Sequence, residues 1–437
     1  MSIVAPICIE CGLRTSIQNR RRPTMLIKTI LNKTYPVKGF VYGKVSLEDN
    51  VIAVDVAARK NTPGICSCCQ QSSPTYDHLK ERRFKFVPLW GLKVELCYRP
   101  RRVSCPEHGV KIEEIPWAVG KSPVCEPFKL FLAHWAKLLS WKETAVQFSV
   151  SWQNVFESVQ YVVQYGLKHR NLDNVTAIGI DEIQYRRGHK YLTLVYQIDA
   201  HCRRLLFVGK DRTAKTLLRF FYRFGKERTE QLQAVCSDLW QPYLKVVKRK
   251  AKNIIHVLDR FHVMKYLGDA VDETRRAERA QLKRDGYEPI LEKSRWCLLK
   301  NKKNQKPSQL AKLRELVQYN LKTVRCYLLK EAFQHFWTYK TRWGAKRFLK
   351  TWTTRAMRSR LPEIKRVAKR LRKHQELLLN YFSFKERLSN GIVEGFNLKA
   401  KLTMRKSFGF KRFETAEVAL FHTLGNLPEP PATHRFY

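Results

Sequence analysis

Three acidic residues occupy positions suited to metal chemistry in a chain that is otherwise strongly basic. Asp181 closes the apolar run Val175-Thr176-Ala177-Ile178-Gly179-Ile180. Asp238 closes a second run, Leu232-Gln233-Ala234-Val235-Cys236-Ser237. Glu394 comes much later, in Asn390-Gly391-Ile392-Val393-Glu394-Gly395-Phe396-Asn397. Two carboxylates at strand tips and a third on a helix can hold a pair of hard divalent cations, magnesium or manganese, which take oxygen ligands. Two such ions, roughly 3.5–4 Å apart, activate a water or 3′-hydroxyl and stabilise the leaving oxygen of an in-line displacement. The 437 residues include 83 Lys+Arg against 38 Asp+Glu, a formal net charge of +45. Around these acids, the substrate that such charge attracts is a phosphodiester.

Side-chain alternation along a strand sorts the acids further. Ala177, Gly179 and Asp181 share one face, and Ala234, Cys236 and Asp238 share one face of theirs. Small residues thus precede each acid on its own side, leaving room for metals and a sugar–phosphate backbone. Glu182 points to the other face with Ile178 and Ile180. Asp199, before Ala200-His201, reads as a turn residue. Asp259 ends Ile254-Ile255-His256-Val257-Leu258 and is a fourth candidate, either as a ligand or by orienting one through Arg260 or His262. On the helix expected over about 389–405, Asn390, Gly391, Asn397, Leu398 and Lys401 would line the DNA side with Glu394. Lys399, Lys401, Arg405 and Lys406 would hold phosphates.

These residues need a scaffold, and hydrophobic periodicity supplies its outline. Strands are expected at 175–183, 190–199, 203–209, 232–238 and 253–258, with a helix at about 213–227. This order fits an RNase H-like core, in which the first and fourth strands are neighbours and Asp181 and Asp238 converge. Residues 264–388 read as a long, basic, Trp-containing helical region. A helical tail runs to about Leu427, and Pro428-Glu429-Pro430-Pro431 ends ordered structure. Upstream, 37–60 alternate as short strands and 123–170 look helical. The first 24 residues read as an extended start or a disordered arm. The boundaries drawn are 1–60 (arm and short strands), 61–120 (zinc-binding module), 121–172 (helix-turn-helix), 173–263 (strand-rich core), 264–388 (all-helical region) and 389–437 (last helix, bearing Glu394, and tail).

Cys66-Ser67-Cys68-Cys69 and Cys105-Pro106-Glu107-His108 are two knuckles with zinc-ligand spacing. Brought together, Cys66, Cys69, Cys105 and His108 give the four ligands of a closed structural zinc site. The alternative is a set of ordinary thiols in a basic loop, and Cys68 competes as a ligand. Cys97 packs in the strand Leu92 to Tyr98. Cys8 and Cys11 repeat the spacing with no second pair nearby.

Leu138 to Phe148 reads as a short helix, Ser149-Val150-Ser151 as a turn with an N-cap, and Trp152 to Val159 as a second helix. This is the layout of a helix-turn-helix, with Lys142, Gln153 and Asn154 as DNA-contacting candidates; a plain helical hairpin is the other reading. Basic clusters such as Arg20-Arg21-Arg22, Lys248-Arg249-Lys250 and Lys302-Lys303 are spread along the chain, which favours an extended nucleic-acid path over a targeting tail. The twelve Cys, dispersed and without a preceding signal peptide, fit a reducing compartment. No apolar stretch reaches the ~18–20 residues of a membrane span. A cytoplasmic, nucleoid-associated protein with no membrane partner is expected.

Taken together, these motifs resemble a DDE transposase of bacterial insertion sequences, of the ISL3 family. The resemblance rests on the Cys66/Cys69–Cys105/His108 finger, Gly179-Ile180-Asp181-Glu182, Gly188-His189-Lys190-Tyr191, Ser237-Asp238-Leu239-Trp240, Asp259-Arg260-Phe261-His262-Val263, Val271-Asp272-Glu273-Thr274-Arg275-Arg276, the segment around Glu394, and Phe408-Gly409-Phe410. It implies an enzyme that cuts and joins DNA at terminal inverted repeats, with Asp181, Asp238 and Glu394 at the three catalytic positions. It also implies an RNase H-like core split by an all-helical insertion before the final Glu. Asp259, His262 and Asn397 are auxiliary candidates. Trp296, Trp337, Trp343 and Trp352 of the insertion either contact transposon ends or fill a helical core. The expected partners are transposon ends and target DNA, bound by a dimer or larger assembly. The rival readings are an RNase H-like nuclease without strand transfer and a domesticated zinc-finger DNA-binding regulator.

Overall fold

In the computed structural model the described residues are 26–118, 120–186, 188, 190–300, 304–384, 391–407 and 409–431. The expected N-terminal arm, the Cys8/Cys11 pair, Asn390 and Phe408 lie outside them. The chain divides into two compact units: one contains residues up to His134 with Phe148–Val150 and the chain from Pro431, the other Trp135–Gln147 and Ser151–Pro430.

In the first unit, alternating apolar residues build strands around Trp117. Helix α1 (Ile27–Thr34) leads into β1 (Phe40–Glu48) and β2 (Val51–Ala58). Asp49 and Asn50, with φ of 47° and 62°, make the two-residue turn between those strands. After β3 (Gly64–Ile65), β4 (Ser72–Ser73) and β5 (Thr75–His78) come the hairpin β6 (Arg82–Leu89) and β7 (Leu92–Tyr98), then β8 (Arg101–Cys105) and β9 (Gly109–Ile112). The main sheet has the order β1-β2-β7-β6 and a second one the order β5-β8-β9. Because β7 pairs with β2, residues 37–60 and the cysteine-bearing stretch fold together. Trp117, fully buried, meets Phe40, Phe84 and Tyr98 edge-on. Cys97 is buried in β7, as the strand pattern expects.

Helix α2 (Glu126–Leu138) carries the chain into the second unit, where α3 (Trp141–Gln147) and α4 (Trp152–His169) follow. A five-stranded sheet then forms from β10 (Ala177–Arg186), β11 (Lys190–Ile198), β12 (Arg203–Lys210), β13 (Ala234–Ser237) and β14 (Ile255–Leu258). Each strand ends within three residues of its expected boundary. The order is β12-β11-β10-β13-β14. The first three strands are antiparallel, and β10, β13 and β14 run parallel. Ile178 and Ile180 of β10 pack with Val195, Val235, Leu217 and Phe220 in one core.

The expected helix over 213–227 is two helices, α5 (Ala214–Phe224) and α6 (Lys226–Gln231). Thr213 caps α5, and Gly225 breaks it at φ 94°, a conformation costly for any other residue. Helix α7 (Gln241–Lys250) links β13 to β14. Beyond β14 the described elements are all helical: α8 (Arg260–Arg284), α9 (Arg295–Leu299), α10 (Pro307–Val317), α11 (Lys322–Gln334), α12 (Arg342–Arg358), α13 (Pro362–Lys373), α14 (Gln375–Phe384), α15 (Ile392–Lys406) and α16 (Phe413–Leu424). Trp337 and Trp352 are buried among these helices, whereas Trp296 and Trp343 are exposed. No helix among the described residues is long and apolar enough to cross a membrane.

Candidate active site

The parallel pairing of β10, β13 and β14 brings their acids toward one edge. Gly179 is opposite Cys236, and Cys236 is opposite Val257. Two residues further along each chain stand Asp181, Asp238 and Asp259. Asp181 is buried within β10, which continues past it to Arg186. Asp238 is the first residue after β13, and Asp259 caps α8 by accepting from Phe261 N at 2.8 Å.

Potential ligand atoms of Asp181, Asp259 and His262 all lie within 4.8 Å of one another. His262 Nε2 is 3.5 Å from Asp181 Oδ1 and 3.9 Å from Asp259. Burial alone would lower the His262 pKa, but the carboxylates of Asp181, Asp259 and Asp238 outweigh it and push it up to about 9. Burial raises the Asp259 carboxyl, with Asp181 and Glu394 adding to the rise against the pull of His262. Asp259, left open between ligand and orienting residue in the sequence, therefore sits beside Asp181.

Asp238, expected to converge with Asp181, is not part of that 4.8 Å group and is held differently. Its Oδ1 accepts from Trp240 N at 3.0 Å and its Oδ2 from Arg212 Nη2 at 2.8 Å. Burial raises its pKa, while the Trp240 N–H and the Arg212 and His262 charges oppose the rise. Arg212 Nε also lies 2.7 Å from Glu182 Oε1, an ion pair whose N–H is not aimed for a hydrogen bond. Burial and the Asp238 charge push the Glu182 carboxyl up to about 7. This corrects the parity argument. Glu182 leaves β10 on the face opposite Asp181, yet its side chain reaches the same guanidinium as Asp238.

Glu394 is exposed on the first turn of α15, close enough for its charge to raise Asp259, but it is not part of the 4.8 Å group. Asn397 is not on the exposed side expected for it. Val393, Asn397, Ala400 and Met404 form the buried face of α15, while Glu394, Leu398, Lys401 and Arg405 are exposed. Asn397 Nδ2 donates to Asp181 Oδ2, and its Oδ1 accepts from Tyr196 OH at 2.9 Å. Phe396 stacks on the Tyr196 ring at 4.8 Å.

The small residues on the acid's face also act otherwise than expected. A Cβ on Gly179 would lie 2.5 Å from Val393 Cγ2. The cleared space admits α15 against β10 rather than substrate. Asp199 is a buried anchor that accepts from Thr176 N, Thr176 Oγ1 and Gln197 Nε2.

Sequence reading missed Arg212, Tyr196 and Trp240. Arg212 follows β12, an edge strand separated from β13 by β11 and β10. Nothing in the local sequence singled it out, since Arg203, Arg204 and Lys210 of that strand are cations too.

In the first unit, ligand atoms of Cys66, Cys69, Cys105 and His108 also fall within 4.8 Å of one another. Cys69 Sγ is 3.5 Å from Cys105 Sγ, which is 3.7 Å from His108 Nδ1. Cys66 follows β3 in a tight turn, and Cys105 ends β8 just before the Gly109 turn (φ 68°) into β9. The backbone N–H groups of Cys69 and Cys68 face the Cys66 sulfur and lower its pKa. Cys68 is exposed and outside the group.

In the second unit, Trp141 of α3 packs on Trp152 and Phe156 of α4 at 5.7 and 5.6 Å. Ser151 and Asn154 form a capping box at the start of α4, and Gln153 Nε2 donates to Glu157 at 2.9 Å. Two of the three DNA-contacting candidates on this pair thus have intrahelical partners, and Lys142 is exposed. Of the α15 cations, Lys399, Lys401 and Arg405 are exposed, while Lys406 Nζ donates to Lys137 O at 3.1 Å.

Sequence comparison supplies the class. Residues 178–420, which contain Asp181, Asp238, Asp259 and Glu394, match the ISL3 group of DDE enzymes described as transposase. The chain belongs to this family. It is 29% identical over 396 residues to the transposase for insertion sequence element IS1557 of Mycobacterium tuberculosis, covering 84% of this chain and 88% of that protein. It is 24% identical over 350 residues to the transposase for insertion sequence element IS1001 of Bordetella parapertussis, covering 79% and 85%.

Proposed function

We propose that this transposase binds the terminal inverted repeats of an insertion sequence, cleaves the strand at each end and joins the exposed 3′-hydroxyl to target DNA. One observation carries the reading: Asp181 and Asp238 each follow by two residues the paired positions Gly179 and Cys236 of the adjacent parallel strands β10 and β13, and helix α15, bearing Glu394, packs on the same β10. The sheet order, three antiparallel strands followed by two parallel ones, supports an RNase H-like core, with α8–α14 as the helical insertion before the final acid.

The donor set fits hard cations. Asp181 and Asp259 stand together with His262, and Asp238 and Glu394 lie near enough for charge to be felt between acids, Asp181 raising Asp238 and Glu394 raising Asp259, an arrangement that a divalent cation relieves. Asp181, Asp238 and Glu394 would hold magnesium or manganese, with Asp259 and His262 beside them. Such ions supply an activated oxygen nucleophile and neutralise the leaving oxygen of a phosphodiester. The chain's own residues fix the site: Asn397 and Tyr196 orient Asp181, and Trp240 N orients Asp238. The three thiols and one imidazole of the first unit suit a structural zinc ion. That zinc module and the α3–α4 helix pair would read the repeats.

The test uses labelled transposon-end DNA, magnesium and a target plasmid, with wild-type protein beside Asp238→Ala. Joined products that vanish in the variant are expected. Cleavage without joining would instead favour a nuclease, and binding alone a DNA-binding regulator.

A further inference from the structure

Arg212 stands in the short link between β12 and α5, with only 32% of its side chain exposed. Its guanidinium lies over the Trp240 ring, 4.6 Å from the centroid. It donates to Asp238 Oδ2 at 2.8 Å and lies 2.7 Å from Glu182. The Glu182 and Asp238 side chains are only 8% and 6% exposed. Trp240 is braced in turn by Tyr243, edge-on at 4.5 Å, whose hydroxyl meets Thr193 Oγ1 at 2.7 Å. With Trp240 N on Oδ1, both oxygens of Asp238 are engaged within the protein itself.

Two buried carboxylates this near each other repel unless a cation stands between them. Arg212 is that cation. A planar guanidinium serves both acids at once, which a lysine ammonium does less well. Glu182 and the Trp240 ring also hold the guanidinium, so a metal that took Asp238 would release it only locally.

We propose that Arg212 is a resident counter-cation, a positioning residue that holds Asp238 Oδ2 in the metal-free protein and competes with a divalent cation for it. The proposal rests on Asp238 being a metal ligand.

Manganese binding by calorimetry and thermal melting with and without manganese, on the full chain, test it. Arg212→Gln is expected to bind Mn2+ about ten-fold more tightly, the scale of removing one competing charge from a partly solvated site. It is also expected to melt at a lower temperature without metal and to gain more from Mn2+ than wild type does. Arg212→Lys keeps the charge, preserves folding and should lie between. Asp238→Asn should lose affinity. If both Arg212 variants bind Mn2+ no more tightly than wild type while Asp238→Asn loses affinity, the competition is refuted and the site assignment stands. If Asp238→Asn binds as wild type does, the assignment of Asp238 fails, and the proposal with it.

Discussion

Single side chains set the orientation of Asp181. Asn397 is buried, donates to Asp181 and accepts from Tyr196. Asn397→Ala leaves two buried partners unsatisfied and should cost about 2–3 kcal/mol, against about 1 kcal/mol for Tyr196→Phe, which removes only the outer link. Urea denaturation of the two variants checks this, and equal losses would mean that Asn397 is not the joint of the chain. A second prediction concerns His256, buried in β14 beside Ser237 Oγ, whose pKa burial lowers to about 4. In the unfolded chain this imidazole takes up a proton below about pH 6.5, whereas in the fold it resists until about 4. Its contribution is therefore fully present above pH 6.5 and is lost as pH falls toward 4, on the order of 3 kcal/mol in all. His256→Gln should flatten stability between pH 7 and 4.5 relative to wild type; an unchanged slope would assign the acid sensitivity to other groups.

At the level of elements, the packing of α15 on β10 decides where Glu394 sits. Gly179 and Val393 meet so closely that an added methyl has no room. Gly179→Ala should cost about 1–3 kcal/mol by overpacking and push α15 outward, lowering strand cleavage. Adding Val393→Ala returns the space and should recover both stability and cleavage. Recovery of stability alone would separate the packing of α15 from its role at the site. The same pair of residues shows what a linear pattern can carry. Short apolar runs located all five strands of the sheet, and knuckle spacing favoured Cys66 and Cys69 over Cys68, because both signals are local. Whether a small residue clears space for substrate or for a helix depends on a partner more than 200 positions away. Helix periodicity put Asn397 on the side of Glu394, three residues away, but a residue at that spacing can also border that face, and packing on β10 places it inward. Arg212 was invisible for a related reason, since its partners lie on strands that become neighbours only through the sheet order.

Across the whole molecule, a formal charge of +45 asks which cations meet DNA and which are merely solvated. One surface separates itself from that background. A cleft of about 840 Å³ is lined by Arg325 of α11 and by Arg347, Lys350, Arg355 and Arg358 along α12. Among the described residues none of these five forms an ion pair with a carboxylate. Arg347 also lies over the ring of Trp343, which is 71% exposed on the same helix. The twelve residues from Arg347 to Arg358, a span of about 16 Å at a rise of 1.5 Å per residue, thus present cations on one face with an aromatic at the end, a surface suited to a phosphodiester backbone. Replacing Arg347, Lys350, Arg355 and Arg358 with Gln removes exposed charge without opening a core, so folding should persist. If this face tracks DNA, the slope of log K against log salt falls by about 0.9 for each phosphate that is no longer neutralised, up to about 3–4 in total, and affinity drops broadly across DNA sequences. An unchanged slope would place the helical segment away from DNA and leave its charge to solvent, because a cation that releases no counterion leaves no trace in the salt dependence.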